Sequence, residues 1–376
     1  MKWMTACSTW MIASALGASA ALGAAQQSVE PKPVVIATGL LGPRGLTFGP
    51  DGALYVAEAG SGGNTSTASQ CTQVPGPVGP YTGGPTARIS KIARDGTRTT
   101  VASGFPSTIS AGGTIGVSDV VFWDGTLYAL VAGGGCSHGN PNSPSGIARV
   151  DLKSGAWHLI ADIGAWLKTH PTKYESSDDF EPDGTLYSMI PAFGELLAVE
   201  PNHGQVISVT PDGTIRQLID ISASEGHIVP TSIAERYGDL YVGNLNLFPI
   251  DPQWARVLTI SNGVSPANYV PGFTKDSHGF HIVDSKAGFT TVVATKFGND
   301  GLLYVLELSD GPGNPTPGLG KVVRVTNSGE IEDVVTGLVV PTGMTFGSDG
   351  ALYVSNFGAA PAGAGQIWKY TITPGF

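Results

Sequence analysis

Residues 46–60 read LTFGPDGALYVAEAG, and residues 344–358 read MTFGSDGALYVSNFG. The chain therefore repeats nearly the same stretch close to both of its ends. In each copy, apolar residues alternate with small or polar ones on both sides of an Asp-Gly pair. Asp-Gly supplies the positive φ angles of a tight hairpin turn, and alternation is typical of a half-buried strand. Each copy therefore predicts a β-hairpin.

The same motif, Asp-Gly-x-Leu-Tyr or its variant Gly-Asp-Leu-Tyr, occurs six times, with tyrosines 49 to 73 residues apart. Alternating segments after most copies predict a second hairpin in each repeat. The weakest is the fourth, where residues 256–273 read RVLTISNGVSPANYVPGF. Two hairpins give four antiparallel strands, A to D, which form the blade of a β-propeller. The copies are Asp51–Tyr55, Asp124–Tyr128, Asp183–Tyr187, Gly238–Tyr241, Asp300–Tyr304 and Asp349–Tyr353.

The last repeat ends after its third strand, whereas an unassigned strand, PVVIATGL at residues 33–40, precedes the first repeat. It resembles DVVTGL at residues 333–338, which ends the fifth repeat. We expect it to supply strand D of the last blade and so to close the ring. The predicted fold is all-β: a six-bladed β-propeller of four-stranded antiparallel blades, closed by the N-terminal strand. An unclosed stack of sheets is the alternative.

The start of the chain combines a basic residue, Lys2, with an Ala-rich apolar stretch and small residues around position 25. This pattern predicts a secretion signal at residues 1–25, with residues 26–376 as a single propeller domain. The expected location is secreted, either extracellular or periplasmic, and no membrane span is expected in the mature chain. In an oxidising compartment, Cys71 and Cys136 are expected to form a disulfide.

The chain has 20 Lys and Arg against 30 Asp and Glu, and its basic residues form no run. A nucleic-acid partner needs a basic footprint, so none is expected. The predicted partner is a small molecule or another protein, and the chain is expected to be a monomer.

In such blades, the B–C and D–A connections share one face, here called the loop face. It receives the long insertions, at residues 57–86, 133–146, 162–175, 244–253, 272–291 and 309–320, so binding is predicted there.

Three phrases, DGALYVAEAG, VPTSIAERYGDLYVGNLNLFPID and DGLLYVLEL, resemble the ScyD/ScyE family of secreted bacterial β-propellers, over about residues 33–372. The family is named after proteins encoded with the pathway to scytonemin, an indole-derived pigment. The resemblance implies an exported propeller that acts as an accessory or biosynthetic protein. It implies no particular reaction.

Alignment on the motif places one residue of each repeat at the start of inner strand A, beside the central channel. One of them is a cation, Arg44, whose planar donor fork suits a carboxylate or phenolate. The alternative is that Arg44 pairs with a neighbouring acid; Asp119 and Asp178 lie close by. Regucalcin- and gluconolactonase-type propellers bind a metal here through Asn, Asp and Glu, which the aligned set lacks. The set is Arg44, Ser118, Ser176, Thr231, Val293 and Thr342.

A second set lies three residues after each motif tyrosine. Four of its six members carry a carboxylate or carboxamide, so one interpretation is a ring of oxygen ligands for calcium. The preferred interpretation is that each side chain bonds the backbone of its own B–C loop. Calcium is thus a candidate cofactor, and none is certain. The residues are Glu58, Val131, Ile190, Asn244, Glu307 and Asn356.

Four histidines, His138, His227, His278 and His281, fall in predicted loops. Each is a candidate metal ligand or general base, and the alternative is an ordinary polar loop residue.

Three functions remain open: a propeller that binds a small aromatic or acidic molecule at the channel mouth, an enzyme of strictosidine-synthase-like or lactonase type, and a protein-interaction propeller. Fold alone cannot choose between them, and whether the protein is an enzyme is left open.

Overall fold

The computed structural model describes residues 31–177, 179–263 and 279–375. They form six antiparallel sheets around a central channel, each built on four strands that run A to D from the channel outwards, and blade one carries a short fifth strand at its outer edge. Each inner strand contacts the inner strands of both neighbouring blades, so the six close into a ring. The predicted six-bladed propeller is therefore confirmed.

The strands are named in blade order, one to six. Strands A are β2 (Pro43–Phe48), β7 (Val117–Trp123), β11 (Met189–Ala192), β15 (Pro230–Arg236), β19 (Val292–Phe297) and β23 (Gly343–Phe346). Strands B are β3 (Leu54–Glu58), β8 (Thr126–Val131), β12 (Glu195–Glu200), β16 (Asp239–Asn244), β20 (Leu303–Glu307) and β24 (Leu352–Asn356). Strands C are β4 (Thr82–Ile92), β9 (Gly146–Val150), β13 (Gln205–Val209), β17 (Ala255–Ser261), β21 (Gly320–Val325) and β25 (Gly365–Tyr370). Strands D are β5 (Arg98–Ser110), β10 (Trp157–Asp162), β14 (Ile215–Asp220), β18 (His281–Phe289), β22 (Ile331–Leu338) and β1 (Val34–Leu40).

Three short elements lie in the D–A connections. Strand β6 (Gly113–Ile115) adds to the outer edge of blade one, and helices α1 (Ile163–Leu167) and α2 (Ser222–Glu225) follow the outer strands of blades two and three. Among the described residues, no helix has the length and apolar content needed to cross a bilayer.

The N-terminal strand closes the ring, as predicted. Strand β1 pairs antiparallel with β25, and Val34 and Leu40 lie opposite Lys369 and Gly365. The first and last copies of the motif therefore belong to neighbouring blades.

The motif residues each have a structural role. The Asp51 carboxylate accepts hydrogen bonds from the Ala53 backbone N–H and the Tyr55 hydroxyl, both at 3.1 Å, and so fixes the A–B turn. The Tyr55 ring packs edge-on against Phe122 of the next blade, with centroids 4.9 Å apart. Aromatic pairs favour this geometry, and it recurs in Tyr241–Phe297, Tyr304–Phe346 and Tyr353–Phe48.

Blade three differs from the prediction. Its A–B hairpin joins β11 to β12 around Phe193 and Gly194, whereas the Asp183–Tyr187 copy lies in the D–A connection before it. Asp183 is buried there and accepts from the backbone N–H and hydroxyl of Ser137, at 2.7 and 2.6 Å. The Asp183–Tyr187 copy does form a turn. This turn bonds the D–A connection before β11 to the B–C loop of blade two, and it does not join two strands of one blade.

The outer strand of blade four also differs. The sequence predicted a hairpin around Asn262 and Gly263 and a loop-face insertion at residues 272–291. Instead, β18 occupies His281–Phe289 and pairs with β17, so the C–D connection is longer than predicted. A C–D connection lies on the turn face, opposite the loop face, because B–C and D–A connections share the other side.

Candidate functional site

All six blades contribute to the wall of the central channel. The wall mixes polar and apolar side chains and contains two charged groups, Asp119 on β7 and Lys296 on β19. It encloses a narrow cavity of about 30 Å³ lined by Gly45, Leu46, Ser118, Asp119, Tyr187, Ser188, Ser232, Ile233, Val293, Ala294, Thr295, Lys296, Thr342, Gly343 and Met344.

Arg44 lies at the mouth of this channel on the loop face, as predicted. A second cavity of about 50 Å³ opens there, between Arg44 and the apolar side chains of Ile115, Leu186 and Tyr187. One guanidinium nitrogen of Arg44 donates to the Thr114 carbonyl oxygen at 2.5 Å. The predicted alternative, an ion pair with a neighbouring acid, does not appear among the salt bridges of the described residues.

Asp119 lies deeper in the channel and links three blades. Its carboxylate accepts from the backbone N–H groups of Val120 and Met189, at 2.8 and 2.9 Å. It packs so closely on Gly45 that a Cβ atom there would approach its Oδ1 to 1.9 Å. Burial raises the pKa of Asp119 to about 6, against the lowering effect of the Lys296 charge. Asp119 therefore changes charge near neutral pH.

Two hydroxyls of the connection before β11, those of Thr185 and Ser188, are buried and have no hydrogen-bond partner among the described residues. Thr185 lines the mouth cavity and Ser188 lines the channel. A buried polar group without a partner costs roughly 1–3 kcal/mol.

Sequence analysis missed Tyr187 as a channel residue, because its motif copy suggested a blade hairpin. In blade three Ala192 pairs with Glu195, as Arg236 pairs with Asp239 in blade four. Because Ala192 corresponds to Arg236, Tyr187 corresponds to Thr231, which lies at the channel end of strand A in blade four. Burial raises the pKa of Tyr187 against the lowering effect of nearby Arg44. The resemblance of FGELLAVE at 193–200 to YGDLYVGN at 237–244 is the signal that identifies the true hairpin.

The other predicted mouth residues differ in their roles. Ser176 lies in the D–A connection, thirteen residues before β11 begins at Met189, so its alignment with the inner strands is wrong. Thr231 and Thr342 lie at inner strands, but their hydroxyls donate to carbonyl oxygens of the next blade, Val292 and Pro43, both at 2.5 Å. They therefore join blades.

Ser118 and Val293 both line the channel. The Ser118 hydroxyl donates to the Leu130 carbonyl oxygen at 3.2 Å. The remaining member of the predicted group, Asp178, lies outside the described residues.

The ring of residues at the end of strand B is buried and bonded to the backbone. The Glu58, Glu307 and Asn356 side chains accept from Leu41, Thr290 and Val339 in the D–A connections, at 2.6, 2.8 and 2.8 Å. Asn244 donates to Ile228 in the same way, at 2.9 Å. Blade three contributes Glu200 rather than the predicted Ile190, because its hairpin lies ten residues later, and Glu200 accepts from Thr185 at 3.1 Å.

Strand C supplies a cation to two of these carboxylates. Arg88 makes two contacts of 2.9 Å to Glu58, whereas the nearest cation to Glu307 is Lys321 at 4.0 Å. Burial raises the pKa of Glu307 to about 7, and Lys321 lowers it only in part. The side chains at the end of strand B therefore bond the D–A connections to the blades. Each of them has its own backbone partner.

The predicted histidines lie apart from one another. His227, on the loop face, contacts the Asp179 carboxylate through Nε2 at 2.9 Å, and its buried Nδ1 has no hydrogen-bond partner in the part of the chain that the structure describes. His281 is exposed at the start of β18 on the turn face, away from Arg44. His278 lies outside the described residues.

His138 belongs to a buried group between blades one and two. Its Nδ1 lies 2.7 Å from the Gly134 carbonyl oxygen and its Nε2 lies 3.2 Å from the Glu181 carboxylate, which also accepts from Tyr81 at 3.3 Å. The predicted Cys71–Cys136 disulfide, confirmed with Cα atoms 6.3 Å apart, joins the same two loops. The group therefore packs the loops of the loop face together.

Calcium does not fit the channel that the structure describes. Calcium takes six to eight oxygen ligands, mainly carboxylates and carbonyls, whereas Asp119 is accompanied by Arg44 and Lys296. In residues 31–177, 179–263 and 279–375, no three His, Cys, Asp or Glu side chains are grouped so that they could hold a metal ion.

The fold and this channel define the class: a six-bladed β-propeller with a cationic channel mouth. No protein-family profile matches the chain, and no curated protein matches its sequence. Solved structures do match. One is a calcium-binding protein, regucalcin, from Agrobacterium tumefaciens, with 13% identity over 93% of this chain and 95% of that one and a TM-score of 0.55.

Two further structures are similar. A gluconolactonase from Xanthomonas campestris has 11% identity over 91% of this chain and 90% of its own, with a TM-score of 0.52. A protein of unknown function from Bacteroides thetaiotaomicron has 11% identity over 92% and 72%, with a TM-score of 0.54. At these identities the likeness shows the propeller fold alone.

Proposed function

We propose that this protein binds a small organic anion, an aromatic carboxylate, at the loop-face mouth of its channel, with Arg44 as the anchoring cation. The observation that carries the proposal is the mouth cavity itself, which is lined by Arg44, Ser118 and Thr185 among apolar side chains. A guanidinium and a hydroxyl are the donors that a carboxylate needs.

The charge of the channel supports an anion rather than a metal ion. Two cations, Arg44 and Lys296, accompany the single carboxylate of Asp119 in the walls of the two cavities. Asp119 is partly neutral near pH 6 because burial raises its pKa, which makes the field more positive. In a narrow channel of low dielectric such a field attracts anions.

The size of the cavity limits which part of the ligand enters. The mouth cavity, of about 50 Å³, is small beside ligand-binding clefts of roughly 300–1,000 Å³, so only the carboxylate group of the ligand enters it in this proposal. The ring would rest above, on the apolar edge formed by Ile115 and Tyr187. A flat ligand with one acidic group meets both requirements.

Export and the ScyD/ScyE role belong to the same proposal. The Cys71–Cys136 disulfide supports an oxidising compartment, and the three blade phrases support an accessory or biosynthetic role for an aromatic compound.

Calorimetric titration with benzoate, indole-3-acetate and neutral indole tests the proposal. The carboxylates should bind, indole should not, and Arg44→Gln should weaken carboxylate binding at least tenfold. Arg149→Gln, which removes an exposed guanidinium on β9, is the matched control. Unchanged affinity in Arg44→Gln removes Arg44 from the site. Hydrolysis of gluconolactone that a chelator abolishes would favour the lactonase alternative instead.

A further inference from the structure

A wide groove lies on the turn face, away from Arg44. It is a groove of about 820 Å³ between blade six and blade one, where the ring closes. We call it the seam groove. Phe48 and Tyr353 form its floor, Val35 and Ile36 of β1 line one side, and Arg94 and Asp95 of the β4–β5 turn line another. Its volume falls within the range of ligand-binding clefts.

A related groove, between blades five and six, is filled by the chain's own C-terminal tail, residues 371–375. Arg324 donates to the Thr373 carbonyl oxygen at 2.8 Å, and the Gly375 backbone N–H donates to the Asp300 carboxylate at 2.8 Å. Ile372 packs on the core cluster that contains Leu302. An extended peptide therefore fits between two blades of this propeller.

The seam groove contains the same three kinds of side chain as the groove filled by the tail: a carboxylate, an aromatic ring and a cation. Asp300, Tyr304 and Arg324 of blade five correspond to Asp349, Tyr353 and Lys369 of blade six, because Arg324 pairs with Tyr304 as Lys369 pairs with Tyr353. Lys369 contacts Asp349 at 2.7 Å. The two grooves thus offer the same carboxylate, ring and cation, and only one of them is occupied by the described chain.

Arg94 distinguishes the seam groove. Its guanidinium lies over Gly52, where a Cβ atom would approach Nη2 to 2.4 Å, and no hydrogen bond or ion pair joins it to the described residues. It is also exposed. An exposed cation beside an apolar floor selects a peptide that carries a carboxylate, since guanidinium binds carboxylates through two parallel bonds.

We propose that the seam groove is a docking site for an extended peptide segment of a partner protein, with a carboxylate of that segment on Arg94. Backbone carbonyl groups of the peptide accept from Lys369, and its N–H groups donate to Asp349, as the tail does with Arg324 and Asp300. The apolar side chains of the peptide cover Phe48 and Tyr353. This site is independent of the channel mouth, on the opposite face of the ring.

The test uses a hexapeptide with the sequence of residues 371–376, Thr-Ile-Thr-Pro-Gly-Phe, labelled with fluorescein at its N-terminus. Its free carboxylate form is compared with its C-terminal amide by fluorescence anisotropy. The full-length protein should bind the acid form saturably and at least fivefold more tightly than the amide. Arg94→Gln should remove this preference, and Arg149→Gln should leave it unchanged.

A second variant, Ser348→Trp, places a large side chain at an exposed position of the groove wall and should abolish binding while the melting temperature is retained. Binding that survives both Arg94→Gln and Ser348→Trp would overturn the proposal, because the peptide would then lie elsewhere. Absence of binding up to about 1 mM, where the free energy is only about −4 kcal/mol, would overturn it as well.

Discussion

The hydroxyl of Thr342 donates a hydrogen bond to the carbonyl oxygen of Pro43, at 2.5 Å, and so joins residues 299 positions apart. The next contact along the seam is similar, since the Ser355 hydroxyl donates to the Arg44 carbonyl oxygen at 2.6 Å. Closure of the ring therefore depends on its inner strands as well as on the β1–β25 pairing. The same contacts hold the backbone of Arg44 in place at the channel mouth.

Thr342→Val should weaken this seam. The substitution keeps the shape of the side chain but leaves the buried Pro43 carbonyl without its donor, which costs about 1–2 kcal/mol in the free energy of unfolding. Urea denaturation measures this loss. Thr99→Val, at an exposed position of β5, is the control and should change stability very little. Equal stability of the two variants would contradict the role given to Thr342.

Glu307→Gln should stabilise the protein at alkaline pH. Burial raises the pKa of Glu307 from 4.5 to about 7, so the native state holds this proton more tightly than the unfolded state does. Ionisation of Glu307 therefore opposes folding, and native stability is lost as pH rises from 4.5 through 7. The neutral amide removes this penalty, a gain of about 3 kcal/mol at pH 8.5.

The matched variant is Glu58→Gln, at the equivalent position of blade one. Its carboxylate is paired by two contacts with Arg88, so the amide leaves a cation without its partner and should cost about 3 kcal/mol. Thermal melts of both variants at pH 6 and pH 8.5 measure the contrast. The prediction is wrong if Glu307→Gln destabilises the protein as much as Glu58→Gln does at pH 8.5.

Blade number could be predicted because it depends on a local pattern, whereas ring closure and the disulfide followed from what the repeats and the cysteine count left over. The Asp51–Tyr55 turn forms from adjacent residues, and the strand at 33–40 matched the gap left by the last repeat. Blade three shows where such patterns fail. Asp183 and Gly184 form a real turn, but the sequence does not reveal that its partner is Ser137 of another blade rather than a neighbouring strand.

Only part of the candidate site could be predicted, namely the part that lies at a fixed distance from the repeated motif. Arg44 was found because an inner strand begins at a fixed distance from its motif. Thr185, Ser188 and Lys296 were missed because their importance depends on which side chains share a cavity, a long-range property. Thr231 has the hydroxyl that the pattern requires, and yet it bonds Val292 because the neighbouring inner strand comes so close.

Binding of an aromatic carboxylate should weaken as pH rises from 5 to 7. Asp119 faces the channel with Arg44, Tyr187 and Lys296, and its pKa is raised to about 6. Above pH 6 its negative charge repels an anion at the mouth. The expected loss in affinity is about fivefold, or roughly 1 kcal/mol.

Calorimetry with benzoate at pH 5, 6 and 7 measures this dependence. Asp119→Asn should flatten it, while Asp162→Asn, outside the channel at the start of α1, should retain it. A pH dependence that persists unchanged in Asp119→Asn would assign the effect to another group.

Glu181→Gln should reduce the pH dependence of stability that His138 contributes. Burial acts to lower the pKa of His138, but the hydrogen bond and charge of Glu181 outweigh it, with a further contribution from Asp183, and the pKa is raised. Native stability from this pair is therefore fully present below pH 6.5 and is lost as pH rises through the native pKa. Without the carboxylate, only the Gly134 carbonyl and the Asp183 charge oppose the effect of burial, so protonation of His138 stabilises the native state much less.

The variant should lose about 3 kcal/mol at pH 6 and much less at pH 8.5, as measured by urea denaturation. Glu175→Gln is the control, because its exposed carboxylate lies 3.8 Å from His203 and contributes little. A loss of equal size at both pH values would show that Glu181 acts on Tyr81 and the loop packing alone. A larger loss at pH 6 identifies the charged His138–Glu181 pair as the contact that joins the blade-two loop to the long connection beside the channel mouth.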